Sequence, residues 1–157
     1  MKTLLFQGDS ITDCGRVTSG GAGYPKDLWG PGYAGMIATQ LMGDQPGKWE
    51  VINRGISGNR IVDLYARIKS DILNIAPDVM SILIGVNDVW HEIGAKNGVE
   101  LDRFEKMYRI FCFPYSFLQA CSNRPFECAL VFSGKRFKTI QIAIAPIVIA
   151  SLVTIKG

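Results

Sequence analysis

The chain has 157 residues, of which 48% are hydrophobic and 20% are charged, a balance typical of a globular protein and not of a disordered one. This length suits one domain with a sizeable core. The net charge is only +3 and no dense basic cluster interleaves with aromatic residues, so nucleic-acid binding has little support.

The cysteines and the first residues bear on the cellular compartment. The four cysteines show no Cys-x-x-Cys pair and no accompanying histidines, so neither a zinc site nor a disulfide framework is indicated: Cys14, Cys112, Cys121 and Cys128. We interpret them as reduced thiols. The first apolar run, over 4–6, is far shorter than the core of a signal peptide, and we therefore expect a cytoplasmic location.

The first 110 residues alternate between strand-like and helix-like segments. In chain order they predict a strand over 3–7, a helix over 33–42, a strand over 49–53, a helix over 61–72, a strand over 79–84 and a helix over 101–110. The third strand is almost fully apolar, which is typical of the centre of a parallel sheet. This order implies a parallel sheet with right-handed crossovers.

Each predicted strand is followed by a glycine-containing segment: Gly-Asp-Ser over 8–10, Gly-Ile-Ser-Gly over 55–58 and Gly-Val-Asn-Asp over 85–88. In a parallel sheet, ligands bind in the crevice outside the carboxyl ends of the strands. Taken alone, each segment suits a turn or a helix cap better than a site. Their convergence at one edge favours a common functional site.

A serine at such an edge suits the cleavage of an ester. A hydroxyl attacks an ester poorly unless a base removes its proton and hydrogen-bond donors stabilise the oxyanion. Ser10 is the candidate nucleophile. Its own backbone N–H, the backbone at Gly58 and the side-chain amide of Asn87 are the candidate donors, each worth about 3 kcal/mol in the transition state.

Three stretches of the sequence together carry a family resemblance: LLFQGDSITDCGR over 4–16, VINRGISGNRIVDLYARI over 51–68 and ILIGVNDVWHE over 82–92. They resemble the SGNH hydrolases, also called GDSL-type esterases and lipases, and most of all the bacterial branch that acts on small acyl esters, including acetylated carbohydrates. The resemblance implies that Ser10 is the nucleophile and that Gly58 and Asn87 complete the oxyanion hole. It also implies a flavodoxin-like three-layer α/β/α sandwich with a five-stranded parallel sheet, a small-molecule ester as substrate, and no metal or organic cofactor.

The family's Asp-x-x-His motif, which supplies the general base, has no counterpart in this sequence. The single histidine is His91, which could serve Ser10 only within hydrogen-bond reach. We favour instead that His91 caps or packs the start of the following helix, and that Asp13 is a turn or cap residue and not a substitute base. Three functions stay open: a serine ester hydrolase, an inactive, truncated remnant of one that lacks its base, and a membrane-attached or protein-binding module that uses the apolar tail.

Two polar residues beside these motifs are given structural roles. Arg60 follows the Gly58 segment and is a candidate substrate contact, although a solvated position at the entry of a helix is the favoured interpretation. Asp9 precedes the nucleophile, and we expect it to hold the loop by hydrogen bonds instead of taking part in proton transfer.

The composition changes after residue 110. Residues 111–157 contain a single acidic residue, Glu127, and end on an almost entirely apolar run over 139–155. We therefore predict two parts: residues 1–110 as the N-terminal part of the hydrolase domain, and 111–157 as an atypical apolar tail, with an out-of-frame or truncated end as its explanation. Membrane association through 139–155 is a less favoured alternative, because Pro146 interrupts the run.

Overall fold

The structure is a computed structural model that describes residues 1–18, 29–112 and 127–131. The strands are β1 (Lys2–Gly8), β2 (Trp49–Asn53), β3 (Val79–Leu83) and β4 (Glu127–Val131). The helices are α1 (Ser10–Asp13), α2 (Tyr33–Asp44), α3 (Ile61–Ala66), α4 (Val86–Ala95) and α5 (Leu101–Cys112), and a π-helical segment, Lys69–Leu73, follows α3.

The four described strands form one parallel sheet in the order β2-β1-β3-β4. Leu4 pairs with Val51 on one side and with Val79 on the other, and Val79 pairs in turn with Glu127. This is the strand order of flavodoxin-like sheets, in which the chain changes direction across the sheet between β1 and β3. The crevice at this switch point lies beyond the carboxyl ends of those two strands.

The alternation of side chains along β1 divides the interior into two cores. Leu4 and Phe6 pack with Ala38 and Leu41 of α2 on one face of the sheet. Leu5 points to the other face, where it joins a cluster built by α3, the π-helical segment, β3 and α5. With helices on both faces, the predicted three-layer α/β/α sandwich with a parallel sheet is confirmed.

The structure departs from the predicted elements after α3. The helix expected over 61–72 ends at Ala66, and a π-helical segment begins at Lys69, where the N–H of Asn74 bonds to the carbonyl of Lys69. Helix α4 was not predicted as an element, because its polar first turn resembles a loop with a cap. The expectation that His91 stands at the start of a following helix is wrong, since His91 lies inside α4, which begins at Val86.

Strand β4 was not predicted either, although it continues the sheet on the free side of β3. It lies within the part of the chain interpreted as an atypical tail. The fifth strand implied by the family resemblance, and the alternative membrane anchor over 139–155, fall outside the described residues. Within the described ranges, no helix is long and apolar enough to cross a membrane.

Candidate active site

The first turn after β1 presents Ser10 at the carboxyl edge of the sheet. Asp9 is the N-cap of α1, and its side chain accepts a hydrogen bond of 3.0 Å from the N–H of Ile11. Burial raises the pKa of Asp9, and the Ile11 hydrogen bond opposes that shift. The expectation that Asp9 holds this loop is confirmed by that bond. Ser10 is exposed, and its hydroxyl and backbone N–H bond to no other residue of the described part of the chain.

The loop after β2 presents Gly58 at the same edge. The N–H of Asn59 donates to the carbonyl of Ile56 over 3.2 Å, which closes a β-turn with Gly58 at its third position. The φ of Gly58 is +83°, and that position of a type II turn favours glycine. The Gly58 N–H bonds to none of the described residues, so it stays available to a ligand.

Close contact with α1 fixes the position of this loop. A Cβ on Gly55 would lie 2.3 Å from the backbone nitrogen of Asp13, so any side chain there would push the loop away from α1. The Asp13 carboxylate accepts hydrogen bonds from the N–H and the hydroxyl of Ser57, at 3.2 and 2.8 Å. It also lies 3.5 Å from Arg16. Asp13 therefore links α1 to the Gly58 turn, in keeping with the structural role expected of it.

Asn87, in the first turn of α4, brings the third loop into contact with the second. Its side-chain Nδ2 donates to the carbonyl of Asn59 over 3.0 Å. Because an amide NH₂ carries two hydrogens, this bond leaves the second hydrogen for another acceptor. The neighbouring Asp88 is buried, and its carboxylate caps the N-terminus of α3 by accepting from the N–H of Ile61 at 3.0 Å. Burial raises the pKa of Asp88, and the Ile61 hydrogen bond opposes that shift.

Asn53 is a site-supporting residue that the sequence analysis missed. It is fully buried at the end of β2. Its Nδ2 donates to the carbonyls of Thr12 and Trp29 at 2.7 and 2.9 Å, and its Oδ1 accepts from the N–H of Gly55 at 2.9 Å. One side chain thus joins the serine-bearing helix to the Gly58 loop. The available signal was an amide at the end of an apolar strand, where asparagine is depleted.

His91 belongs to a charged cluster at the entry of α3. Arg60 bonds through two nitrogens to Asp63, at 3.0 and 3.1 Å, and through Nη1 to Asn97. Burial alone would raise the pKa of Asp63, but the hydrogen bonds from Arg60 and the charges of Arg60 and His91 outweigh it and lower the pKa. Arg60 is therefore engaged with its own protein at the helix entry. Across the described residues, the structure forms no hydrogen bond between His91 and Ser10.

The loops that carry Ser10, Gly58 and Asn87 thus follow the carboxyl ends of three neighbouring strands and contact one another in pairs, the first with the second and the second with the third. Ser10 supplies the hydroxyl and one N–H, Gly58 a second N–H and Asn87 a side-chain N–H; the last two meet through Asn59. Such an arrangement suits the stabilisation of developing negative charge on an oxygen. Among the residues that the structure describes, no group of three or more His, Cys, Asp or Glu side chains could hold a metal ion.

Comparisons with known proteins identify the family of the chain. The model of the GDSL-like Lipase/Acylhydrolase family matches residues 6–111. An acetylxylan esterase from Geobacillus stearothermophilus is 42% identical over 111 residues, which are 68% of this chain and 50% of that protein. The chain therefore spans about half the length of this curated relative.

Solved structures give the same result for the fold. A protein from Parabacteroides merdae described as a GDSL-like lipase has a TM-score of 0.69 and 35% identity, with 82% of this chain and 58% of that chain covered. Axe2, an acetylxylan esterase from Geobacillus stearothermophilus, has a TM-score of 0.62 and 38% identity, with 72% and 53% covered. Two further Axe2 structures are described as catalytic mutants, one with a serine and one with a histidine replaced by alanine. The family match covers most of the chain and the sheet has the same architecture, so this protein belongs to the GDSL-like lipase/acylhydrolase family, with the SGNH hydrolase fold.

Proposed function

We propose that this protein is a serine ester hydrolase of the SGNH type that acts on small acyl esters. Ser10 is the nucleophile, and its backbone N–H forms the oxyanion hole with Gly58 and the side-chain amide of Asn87. The observation that carries the proposal is the junction of the second and third loops, where the Asn87 amide bonds to the carbonyl of Asn59, directly after Gly58. Family membership supports the reaction class.

The reaction would proceed in two steps. The Ser10 oxygen attacks the acyl carbon and loses its proton, and the carbonyl oxygen takes the negative charge in the oxyanion hole. Collapse of this intermediate breaks the ester C–O bond, and the alcohol leaves with a proton. Water then attacks the acyl-serine and releases the acid. Donors placed before the reaction stabilise both oxyanions without further reorganisation, and losing one such donor typically costs about 10²–10³-fold in rate.

Acetylated carbohydrates are the substrate class that we propose to test first. The support is the acetylxylan esterase from Geobacillus stearothermophilus, at 42% identity over the matched residues. The exposed positions of Ser10 and Gly58 leave room for a bulky alcohol. An acetyl group is among the smallest acyl groups, so it needs little space beside the nucleophile.

A second proposal is a catalytically inactive, truncated member of the family. The observation that favours it is the position of His91, the single histidine of the sequence, which lies inside α4 and forms no hydrogen bond with Ser10 in the described part of the chain. Without a base, the proton of the Ser10 hydroxyl must leave to water, so attack is slow. The inactive form would keep the donors of the oxyanion hole and lose turnover.

We also propose that the hydrolase sequence ends near residue 110 and that 111–157 is of a different origin. The family match, which runs over residues 6–111, supports this boundary, whereas the parallel pairing of β4 with β3 is an observation against it. The test is translation of the coding DNA beyond the codon of Ile110 in the other two frames. A frame that shows β/α alternation and an Asp-x-x-His motif is expected. Two frames that show neither would contradict the proposal.

Labelling of Ser10 by a fluorophosphonate probe, read by peptide mass spectrometry, decides between hydrolase and inactive remnant. Ser10→Ala is the control for the site, and circular dichroism verifies that each sample is folded. Modification confined to Ser10, with release of acetate from an acetylated xylo-oligosaccharide, is the result expected of the hydrolase. A folded protein that takes no label and releases no acetate would refute it and favour the inactive form.

A further inference from the structure

We propose that Arg67 is the positioning residue of the oxyanion hole, acting through Asn59 on both Gly58 and Asn87. This inference rests on the proposed function for its catalytic meaning. Its structural content, that Arg67 fixes the Gly58 loop and the Asn87 amide, is separate and can be tested separately.

Arg67 holds the Gly58 loop at both of its ends. Its Nε donates to the Oδ1 of Asn59 over 3.0 Å, and its Nη1 donates to the carbonyl of Arg54 over 2.9 Å. Residues 54–59 form the whole connection between β2 and the entry of α3. A single planar guanidinium thus forms hydrogen bonds with the first and the last residue of the loop.

Asn59 connects Arg67 to the two proposed donors, Gly58 and Asn87. The side chain of Asn59 is held by Arg67, and its backbone carbonyl accepts the hydrogen bond from the Nδ2 of Asn87. Gly58 is the preceding residue in the same turn. A displacement of Asn59 would therefore move the Gly58 N–H and would also release the Asn87 amide from the acceptor that orients it.

Contacts with Asp71 fix the position of the Arg67 side chain. The side chain of Arg67 is only 15% exposed and pairs with the carboxylate of Asp71, which lies four residues later in the π-helical segment. The N–H of Asp71 bonds to the carbonyl of Arg67 at 3.0 Å, and the buried side chain of Gln7 in β1 donates to the carbonyl of Asp71 at 3.4 Å. The guanidinium is thus anchored to the sheet and not to solvent.

Lysine cannot reproduce this arrangement. The Arg67 contacts diverge from Nε and Nη1 toward two separate oxygens at the ends of the loop, and a planar guanidinium holds both directions at once. An ammonium is a compact point charge that keeps the pairing with Asp71 but lacks the fixed fork. Arg67→Lys therefore keeps the positive charge and loses the two hydrogen bonds to the ends of the loop. The variant thus distinguishes an effect of loop position from an effect of charge.

The experiment compares Arg67→Lys and Asn59→Ala with the control Arg109→Lys. Arg109 pairs with Glu105 four residues away on the exposed side of α5, which matches the Arg67–Asp71 spacing far from the loop. The rate of Ser10 modification by the fluorophosphonate is measured for each folded variant, alongside unfolding in urea. Asn59→Ala leaves the Arg67–Asp71 pair in place, so it keeps the test valid if Arg67→Lys fails to fold.

We expect both loop variants to label Ser10 about tenfold to a hundredfold more slowly, since a displacement near 1 Å can cost about 10²-fold. We expect Arg109→Lys to stay within about twofold of the wild type. The double variant should be no slower than Arg67→Lys alone, because Arg67→Lys already removes the contact that Asn59→Ala breaks. Labelling of folded Arg67→Lys at the wild-type rate would overturn the proposal.

A second measurement keeps the two proposals distinguishable. In ¹H–¹⁵N spectra, the Gly58 backbone signal and the Asn87 side-chain amide signal should shift in both loop variants and not in Arg109→Lys. If the wild type takes no label at Ser10, the proposed function fails, and these signals alone decide the role of Arg67. Unchanged signals in Asn59→Ala would then overturn it.

Discussion

Replacement of Asn53 by alanine tests how the serine helix is attached to the Gly58 loop. The Asn53 side chain makes three hydrogen bonds of 2.7–2.9 Å with backbone groups of Thr12, Trp29 and Gly55. Asn53→Ala removes all three and leaves two carbonyls and one N–H without this partner. The contacts to Thr12 and Gly55 are buried, and the contact to Trp29 is part-buried.

The expected loss of stability follows from these contacts. A buried polar group left without a partner costs about 1–3 kcal/mol, and a group that water can reach costs about 1 kcal/mol. Two buried groups and one part-buried group therefore predict a loss of about 3–7 kcal/mol in the free energy of unfolding. That is a large fraction of the total stability of a typical domain, about 5–15 kcal/mol.

Urea unfolding followed by tryptophan fluorescence measures this loss. The matched control is Asn74→Ala, because Asn74 is an exposed residue at the end of the π-helical segment, where a substitution should change stability by about 0.5 kcal/mol or less. Labelling of Ser10 in the folded fraction should fall as well, because α1 and the loop lose their common anchor. If Asn53→Ala unfolds within about 1 kcal/mol of the wild type, the reasoning is refuted.

Three further experiments test separate parts of the structure. Burial raises the pKa of folded Asp88 above its ordinary 3.8, so folding favours the protonated carboxyl. The stability of the wild type relative to Asp88→Asn should therefore fall as the pH rises from 3.8 through the folded pKa. A stability difference that is constant with pH would contradict this prediction. The Cβ of Gly58→Ala would meet no atom within 4 Å, so this variant should lose only about 1–2 kcal/mol of unfolding free energy through the strain of positive φ. The Cβ of Gly55→Ala would collide with backbone atoms, so urea unfolding should show a larger loss for this variant. Equal losses in the two variants would be evidence against the close packing of the loop on α1. Deletion of 113–157 removes β4 and leaves the apolar β3 at the edge of the sheet. Light scattering should therefore show more association between molecules than in the full chain. A particle mass per chain that does not change would contradict this prediction.

The first three strands could be predicted closely because their environment leaves a strong pattern in the sequence. Strands covered by helices on both faces are apolar at nearly every position, and each run ends where the chain leaves the sheet. The strand predicted over 79–84 and the observed β3 (Val79–Leu83) differ by one residue. Convergence of Ser10, Gly58 and Asn87 could be expected from parallel topology alone, since the carboxyl ends of parallel strands share an edge.

Helix α4 was missed because its apolar residues do not face the core. Val89, Trp90 and Ile93 of α4 are 59%, 67% and 73% exposed, so the apolar residues of this helix do not mark a buried face. The hydrogen-bond partners of Asn53 and Asn59 could not be predicted from the sequence either. Asn53 bonds to Thr12 across 41 positions of the chain, and only the assembled sheet brings such residues together.

The contacts that hold the three loops of the proposed oxyanion hole join Thr12, Asn53, Asn59, Arg67 and Asn87, and all of them lie within β1 to α4. None of these contacts involves a general base, so the proposed hole would keep its geometry without one. A serine triad that loses one member keeps about 10³–10⁴-fold acceleration over water through the hole and binding alone. An active hydrolase and an inactive remnant would then share the same donors and differ in how the Ser10 proton is removed. For this reason the positioning role proposed for Arg67 applies to either function, and the rate of Ser10 modification in the wild type separates the two.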